Sequence, residues 1–175
     1  ESPSDVMTNF VKVNIGGVFN TKIYRPRFLK AFYSPLWAED LFGIHDLGRE
    51  YIGVRNRILG LEADYATDKV EDNRVWSALR VQHYPRGGGF LVPHTDTVIS
   101  TAQNWSGIRD FVQMLLPLTK KGVDYIDGGG FVDIEGNRIL VDDQCEPGDV
   151  IVYSGMKVHG VQEIDPHLPF DMDLR

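Results

Sequence analysis

The sequence has little of what marks a secreted or membrane-spanning protein. It contains one cysteine, Cys145, in 175 residues, so no disulfide can form within the chain. No apolar run approaches the roughly 18 residues that a membrane-spanning helix needs. No charged and then apolar stretch near residue 1 has the pattern of a secretion signal. These absences predict a cytoplasmic protein with no membrane partner.

Basic residues are also scarce relative to acidic ones. The chain has 18 Lys and Arg against 25 Asp and Glu, which gives a net charge of −7 at pH 7. Binding a nucleic-acid backbone requires a concentrated positive surface, so we expect no nucleic-acid partner. A small molecule is the expected substrate, and the sequence leaves the oligomeric state open.

The sequence predicts a single domain of the α+β class that is mainly β. Its 42% hydrophobic and 25% charged residues are typical of a globular protein, and 175 residues suffice for a single core. Residues 74–175 contain short apolar segments separated by Gly, Pro and Asp clusters, a pattern typical of an antiparallel sandwich or barrel. The predicted strands of this part are 75–84, 90–96, 111–118, 130–134, 138–141, 149–153 and 158–164.

Residues 1–73 are predicted to form strands followed by supporting helices. Weak alternation of apolar and polar residues predicts strands at 10–15 and 18–24. Apolar spacing then predicts a helix from Pro26 to the Ser34-Pro35 interruption and a short helix at 36–42. The clearest helix starts near Asp46, and its apolar stripe is expected to pack on the core; the stripe consists of Leu47, Tyr51, Val54, Ile58, Leu61 and Tyr65.

Two types of metal-ligand side chain follow an apolar strand near residue 94. His94 and Asp96 are two positions apart, so on a β-strand both side chains point to one face. A third ligand can come from His159, which follows the apolar run after Pro147-Gly148-Asp149. Two histidines and one carboxylate on one side of a metal leave three positions open, which suits non-haem Fe(II). A His-x-Asp triplet alone is a weak signal, because a chain of this composition has about half an occurrence by chance.

With its surroundings, this pattern resembles the Fe(II)/2-oxoglutarate-dependent dioxygenase superfamily. The resemblance covers residues 74–175 and rests on His94-x-Asp96…His159 and on Gln82-His83-Tyr84-Pro85. The latter is similar to the N-x-Y-P segment of the plant-type and isopenicillin-synthase-like branch, with Gln82 where Asn is usual. The resemblance implies a double-stranded β-helix core (jelly-roll, cupin-like) with amino-terminal helices packed on its outside.

The resemblance also implies an activity. His94, Asp96 and His159 would be the metal ligands and the catalytic centre, with Fe(II) as the metal, 2-oxoglutarate as co-substrate and O2 as oxidant. The expected reaction converts 2-oxoglutarate and O2 to succinate and CO2 while a small molecule is hydroxylated.

The same resemblance implies where 2-oxoglutarate binds. Tyr84 would donate a hydrogen bond to its far carboxylate, and Gln82 and Arg80 share the strand face of Tyr84. Polar groups on an inward face need partners, which a dicarboxylate would supply; a solvated sheet face is the other interpretation. The family places an Arg or Lys one strand after the second histidine. Arg175 is the only Arg or Lys after His159, so we assign the anchor to Arg175 or to a residue beyond it, and we expect the chain to be truncated there.

Two other functions are compatible with these residues. A cupin-like metal isomerase or binding module also carries Pro-Gly-Asp before a histidine strand, although cupins usually have a second histidine where this chain has Asp96. The second of these alternatives is a non-enzymatic β-sandwich with incidental histidines. The remaining histidines, His45, His83 and His167, are predicted to be surface or capping residues.

Overall fold

The computed structural model of the chain describes residues 10–15, 27–72, 75–96 and 112–172. Within these ranges it has one α-helix, α1 (His45–Ile58), one short 3-10 helix (Val141–Asp143) and nine strands. The strands are β1 (Phe10–Ile15), β2 (Arg27–Pro35), β3 (Ala78–His83), β4 (Gly89–His94), β5 (Val112–Leu115), β6 (Gly129–Ile134), β7 (Asn137–Leu140), β8 (Ile151–Ser154) and β9 (His159–Ile164). No helix in this part of the chain combines the length and the apolar character that crossing a membrane requires.

The described strands form two sheets. The larger has the order β1-β2-β4-β9-β6-β7, with β3 also paired to β2, and the smaller consists of β5 and β8. The pairs β2–β4, β4–β9, β6–β9, β6–β7 and β5–β8 are antiparallel. Each apolar segment predicted as a strand in residues 74–175 overlaps one of β3 to β9, which confirms a mainly β, antiparallel structure. The predicted strand at 10–15 coincides with β1, and the one at 18–24 lies outside the described residues.

The chain divides into two compact units, and the predicted single domain stays a prediction. The first unit contains Glu1–Lys12, Ala31–Val81 and Val98–Phe111; the second contains Val13–Lys30, Gln82–Thr97 and Val112–Arg175. In the second unit the buried hydrophobic residues of the described part belong to interior strands of the larger sheet: Leu29 of β2, Leu91 of β4, Phe131 and Val132 of β6, and Ile164 of β9. The strands that carry His94 and His159 are therefore anchored in this unit's core.

The helices predicted between Pro26 and residue 42 are wrong. Arg27–Pro35 is the strand β2, and the residues after it form turns and bends. Leu29 and Ala31 are buried at the period of two that a strand requires, and Arg27 and Phe28 pair with Leu91 and Phe90 of β4. The aromatic residues of this segment favour a strand, and pairing with β4 supplies the partner that local spacing cannot reveal.

The helix α1 confirms the strongest helix prediction but contradicts its buried face. The helix starts at His45, ends at Ile58, and buries Gly48, Ile52 and Asn56, among others. Three residues of the predicted stripe are exposed, with Leu47 at 56%, Val54 at 38% and Ile58 at 53%. Tyr51 is half-buried, and Leu61 and Tyr65 follow the end of the helix.

Close packing at glycine explains why a different face of α1 is buried. A Cβ added to Gly48 would lie 2.8 Å from side-chain atoms of Leu36 and Leu79, so the glycine lets these leucines approach the helix backbone. On the same face Asn56 donates hydrogen bonds to the carbonyl oxygens of Ala63 and Tyr65. Close approach to the helix backbone and the hydrogen bonds of the Asn56 side chain determine which face is buried. The spacing of apolar residues in the sequence reveals neither.

Candidate metal centre

Three metal-ligand side chains come together where β4 ends and β9 begins, all within the second unit. His94 is the last residue of β4, His159 is the first of β9, and the two are register partners with ring centroids 4.3 Å apart. Asp96 follows β4, and its backbone N–H donates to the carbonyl oxygen of Gly155 at 2.9 Å. One ligand atom from each of the three residues lies within 4.8 Å of the others. The cluster predicted from the sequence is therefore present.

Local features of β9 hold His159 in this place. The strand pairs with β4 on one side and β6 on the other, where His159 is the register partner of Val132. A Cβ on the next residue, Gly160, would lie 2.6 Å from the carbonyl oxygen of Leu91 and 2.9 Å from the ring of Phe131. Because only glycine fits so near a neighbouring backbone, Gly160 lets β9 approach β4 closely beside the ligand.

The register of β4 against β9 also shifts between Leu91 and His94. Such irregularities re-aim a side chain that a regular ladder would point elsewhere. The register shift therefore lies where the His94 side chain is directed toward His159.

Both histidine rings have the nitrogen arrangement that metal binding requires. The Nδ1 of His94 is 2.8 Å from the carbonyl oxygen of Val92, and the Nδ1 of His159 is 2.9 Å from that of Lys157. A carbonyl oxygen accepts and never donates, so each Nδ1 carries the hydrogen and each Nε2 presents a lone pair. Metal-binding histidines are commonly oriented in this way.

The distances between ligand atoms are near those of a coordinated metal. Asp96 Oδ2 is 3.4 Å from His159 Nε2, and Asp96 Oδ1 is 3.8 Å from His94 Nε2. Atoms bound about 2.1 Å from one metal lie roughly 3.0–3.4 Å apart. With one ligand atom from each residue the cluster spans up to 4.8 Å, so side-chain shifts would bring all three atoms onto one ion. The exposed fraction of each side chain is low, at 10% for His94 and 9% for Asp96 and His159. The arrangement fits a facial triad of two histidines and one carboxylate.

Two residues that the sequence prediction missed contact these ligands. Gln113 Nε2 donates a hydrogen bond of 2.7 Å to Asp96 Oδ2, and the ring of Tyr153 packs against that of His159 with centroids 5.1 Å apart. Gln113 and Tyr153 are register partners across β5 and β8. The available signal was weak: Gln113 is one polar residue inside the apolar run 111–116.

The residues predicted to bind 2-oxoglutarate lie in different places. The hydroxyl of Tyr84 donates to Gln82 Oε1 at 3.2 Å, and both residues are half-buried in the second unit. Arg80 belongs to the first unit, is exposed, and has its guanidinium carbon 5.9 Å from the ring centroid of Tyr33. Arg175 lies outside the described residues. Co-substrate binding by these four residues stays a prediction.

The other histidines are not part of the cluster. His45 is buried rather than on the surface, with 2% of the residue exposed and its Nε2 2.8 Å from Ser34 Oγ. The nearby Asp40 carboxylate is 4.0 Å from this same nitrogen, whereas a serine-histidine-aspartate triad places the carboxylate on Nδ1. His167 is exposed and His83 is half-buried. Among the described residues, His94, Asp96 and His159 are the one group that could hold a metal.

Substituting Gly160 tests how the fold positions His159. We expect Gly160→Ala to cost about 1–3 kcal/mol of unfolding free energy and to weaken metal binding, because the added methyl forces β9 away from Leu91. Denaturant unfolding and metal titration measure the two effects. Gly53→Ala in α1 is the control, since its Cβ meets nothing nearer than 3.4 Å and alanine favours a helix. Equal behaviour of the two variants would contradict the role of Gly160.

Comparison of the chain with protein-family models, with curated proteins and with solved structures finds no match. The case for a function therefore rests on the geometry of the second unit.

Proposed function

We propose that the protein is a non-haem Fe(II)- and 2-oxoglutarate-dependent oxygenase that hydroxylates a small molecule. The observation that carries this proposal is the convergence of His94 Nε2, His159 Nε2 and the Asp96 carboxylate, with both Nδ1 atoms committed to backbone carbonyls. We further propose that the antiparallel sheets of the second unit are part of a double-stranded β-helix.

The number and type of ligands favour a catalytic metal over a structural one. A structural zinc site uses four protein ligands, whereas the cluster among the described residues has three. Two imidazoles, one carboxylate and open positions suit Fe(II) with an exchangeable co-substrate. Fe(II) with 2-oxoglutarate and O2 supplies the oxidation chemistry, which yields succinate, CO2 and a hydroxylated product.

The chain itself provides orientation and shielding. The carbonyl oxygens of Val92 and Lys157 fix the two rings, and burial of the three side chains limits access of water. Tyr84 is proposed to hydrogen-bond the far carboxylate of 2-oxoglutarate, with Gln82 beside it.

Tyr84→Phe tests the co-substrate assignment. Losing one hydrogen bond to a charged acceptor costs about 1.5–3 kcal/mol, so the apparent affinity for 2-oxoglutarate should fall roughly ten- to a hundredfold while Fe(II) affinity is unchanged. Tyr51→Phe is the matched control, because the Tyr51 hydroxyl is buried and makes no hydrogen bond. An unchanged KM for 2-oxoglutarate in Tyr84→Phe would assign Tyr84 a structural role.

Succinate formation from 2-oxoglutarate tests the activity. We expect release of succinate that requires both Fe(II) and O2 and that rises when a substrate is found among small molecules. Metal binding without 2-oxoglutarate turnover would instead favour a cupin-like metal isomerase or binding module. Absence of metal binding would favour a β-sandwich with incidental histidines.

A further inference from the structure

The small sheet of the second unit contacts Asp96 from β5 and from the residue that follows β8. Gln113 of β5 donates to Asp96 Oδ2 at 2.7 Å. The carbonyl oxygen of Gly155, the residue after β8, accepts from the backbone N–H of Asp96 at 2.9 Å. Side chain and backbone of the carboxylate ligand are therefore both held by this strand pair.

We propose that Gln113 is a positioning residue that fixes the rotation of the Asp96 carboxylate in the metal site. This inference rests on the metal site of the proposed function. A carboxylate only accepts hydrogen bonds, so the amide nitrogen of Gln113, and not its oxygen, faces Oδ2. The hydrogen bond occupies one lone pair of Oδ2 and fixes the rotation of the carboxylate, whose Oδ2 lies 3.4 Å from His159 Nε2 and whose Oδ1 lies 3.8 Å from His94 Nε2.

Fixing the rotation of the Asp96 carboxylate has a chemical consequence. A freely rotating carboxylate can bind a metal through both oxygens and so occupy an additional coordination position. The proposed reaction needs three open positions, two for a chelating co-substrate and one for O2. Gln113 would preserve those positions by limiting how far the carboxylate can turn to add a second metal–oxygen contact.

The pairing of β5 with β8 gives independent support to this role. Gln113 and Tyr153 are register partners, and the Tyr153 ring packs against the His159 ring at 5.1 Å with an interplanar angle of 60°. Partners directly opposite each other project to the same face of a sheet. One cross-strand pair thus contacts two of the three ligands, as expected of a sheet that orients the metal site.

The test compares two substitutions that remove the hydrogen bond from Gln113 with a control substitution on the same strand. Gln113→Met has nearly the same length without a donor, and Gln113→Asn keeps the amide but is too short to reach Oδ2. Met114→Leu is the control, because adjacent residues of a strand point to opposite faces. Each protein is titrated anaerobically with Fe(II) and separately with Co(II), whose visible spectrum reports the coordination number, and metal-free thermal unfolding is measured in parallel.

We expect both Gln113 variants to bind metal about 10–100-fold more weakly and to change the Co(II) spectrum, with little change in the metal-free unfolding temperature. Wild-type affinity and spectrum in either folded variant would overturn the proposal. So would a loss of metal-free stability with unchanged metal binding, since that is the result of a purely structural role. If the wild-type protein binds neither metal, the proposed function itself fails, a result distinct from normal binding in the variants.

Discussion

Replacing His159 by alanine is expected to remove Fe(II) binding and all Fe(II)-dependent turnover while the protein still folds. His159 Nε2 is one of three converging ligand atoms, and two remaining ligands hold a divalent metal far more weakly than three. The ring is at the first position of β9, and its loss removes contacts with the rings of His94 and Tyr153 rather than a core side chain. We expect a stability cost of roughly 1–3 kcal/mol, which does not unfold a typical domain.

Iron content per chain, succinate formation and circular dichroism measure this effect. His167→Ala is the matched control, because His167 is exposed and outside the cluster. Near-normal turnover with stoichiometric iron in His159→Ala would show that the iron is held by other residues.

Asp96→Asn is expected to weaken metal binding without lowering the stability of the metal-free protein. The amide is nearly isosteric, and its oxygen can still accept the hydrogen bond from Gln113. The metal loses its anionic ligand, so we expect affinity for Fe(II) to fall about 100-fold or more. The metal-free protein no longer buries a carboxylate that is 9% exposed, so its unfolding temperature should stay the same or rise.

Thermal unfolding without metal and anaerobic Fe(II) titration separate the two effects. Asp72→Asn is the control, because Asp72 is exposed and substituting it should change neither quantity. An Asp96→Asn protein that binds Fe(II) as tightly as the wild type would exclude Asp96 as a ligand.

The ligand residues could be predicted from the sequence because their signal is local. Simple alternation predicts that His94 and Asp96 point to one side, and both do reach the cluster although Asp96 follows the end of β4. His159 follows an apolar run that overlaps β8. The strands of residues 74–175 were equally accessible, since apolar runs bounded by Gly, Pro and Asp define them.

Contacts between distant segments could not be predicted in this way. Residues 26–33 have apolar spacing that suits a helix, but pairing with β4 makes Arg27–Pro35 a strand. The buried face of α1 depends on how closely Leu36 and Leu79 approach Gly48. Gln113 reaches Asp96 across 17 positions, and its role is visible only when β5 is in place.

The most direct test of the central claim is an anaerobic titration of the metal-free protein, first with Fe(II) and then with 2-oxoglutarate. We predict one Fe(II) per chain, a weak visible absorption band that saturates with 2-oxoglutarate, and loss of both in His159→Ala. A wild-type protein that binds no Fe(II), or a band of undiminished strength in His159→Ala, would contradict the assignment of His94, Asp96 and His159 as the iron site.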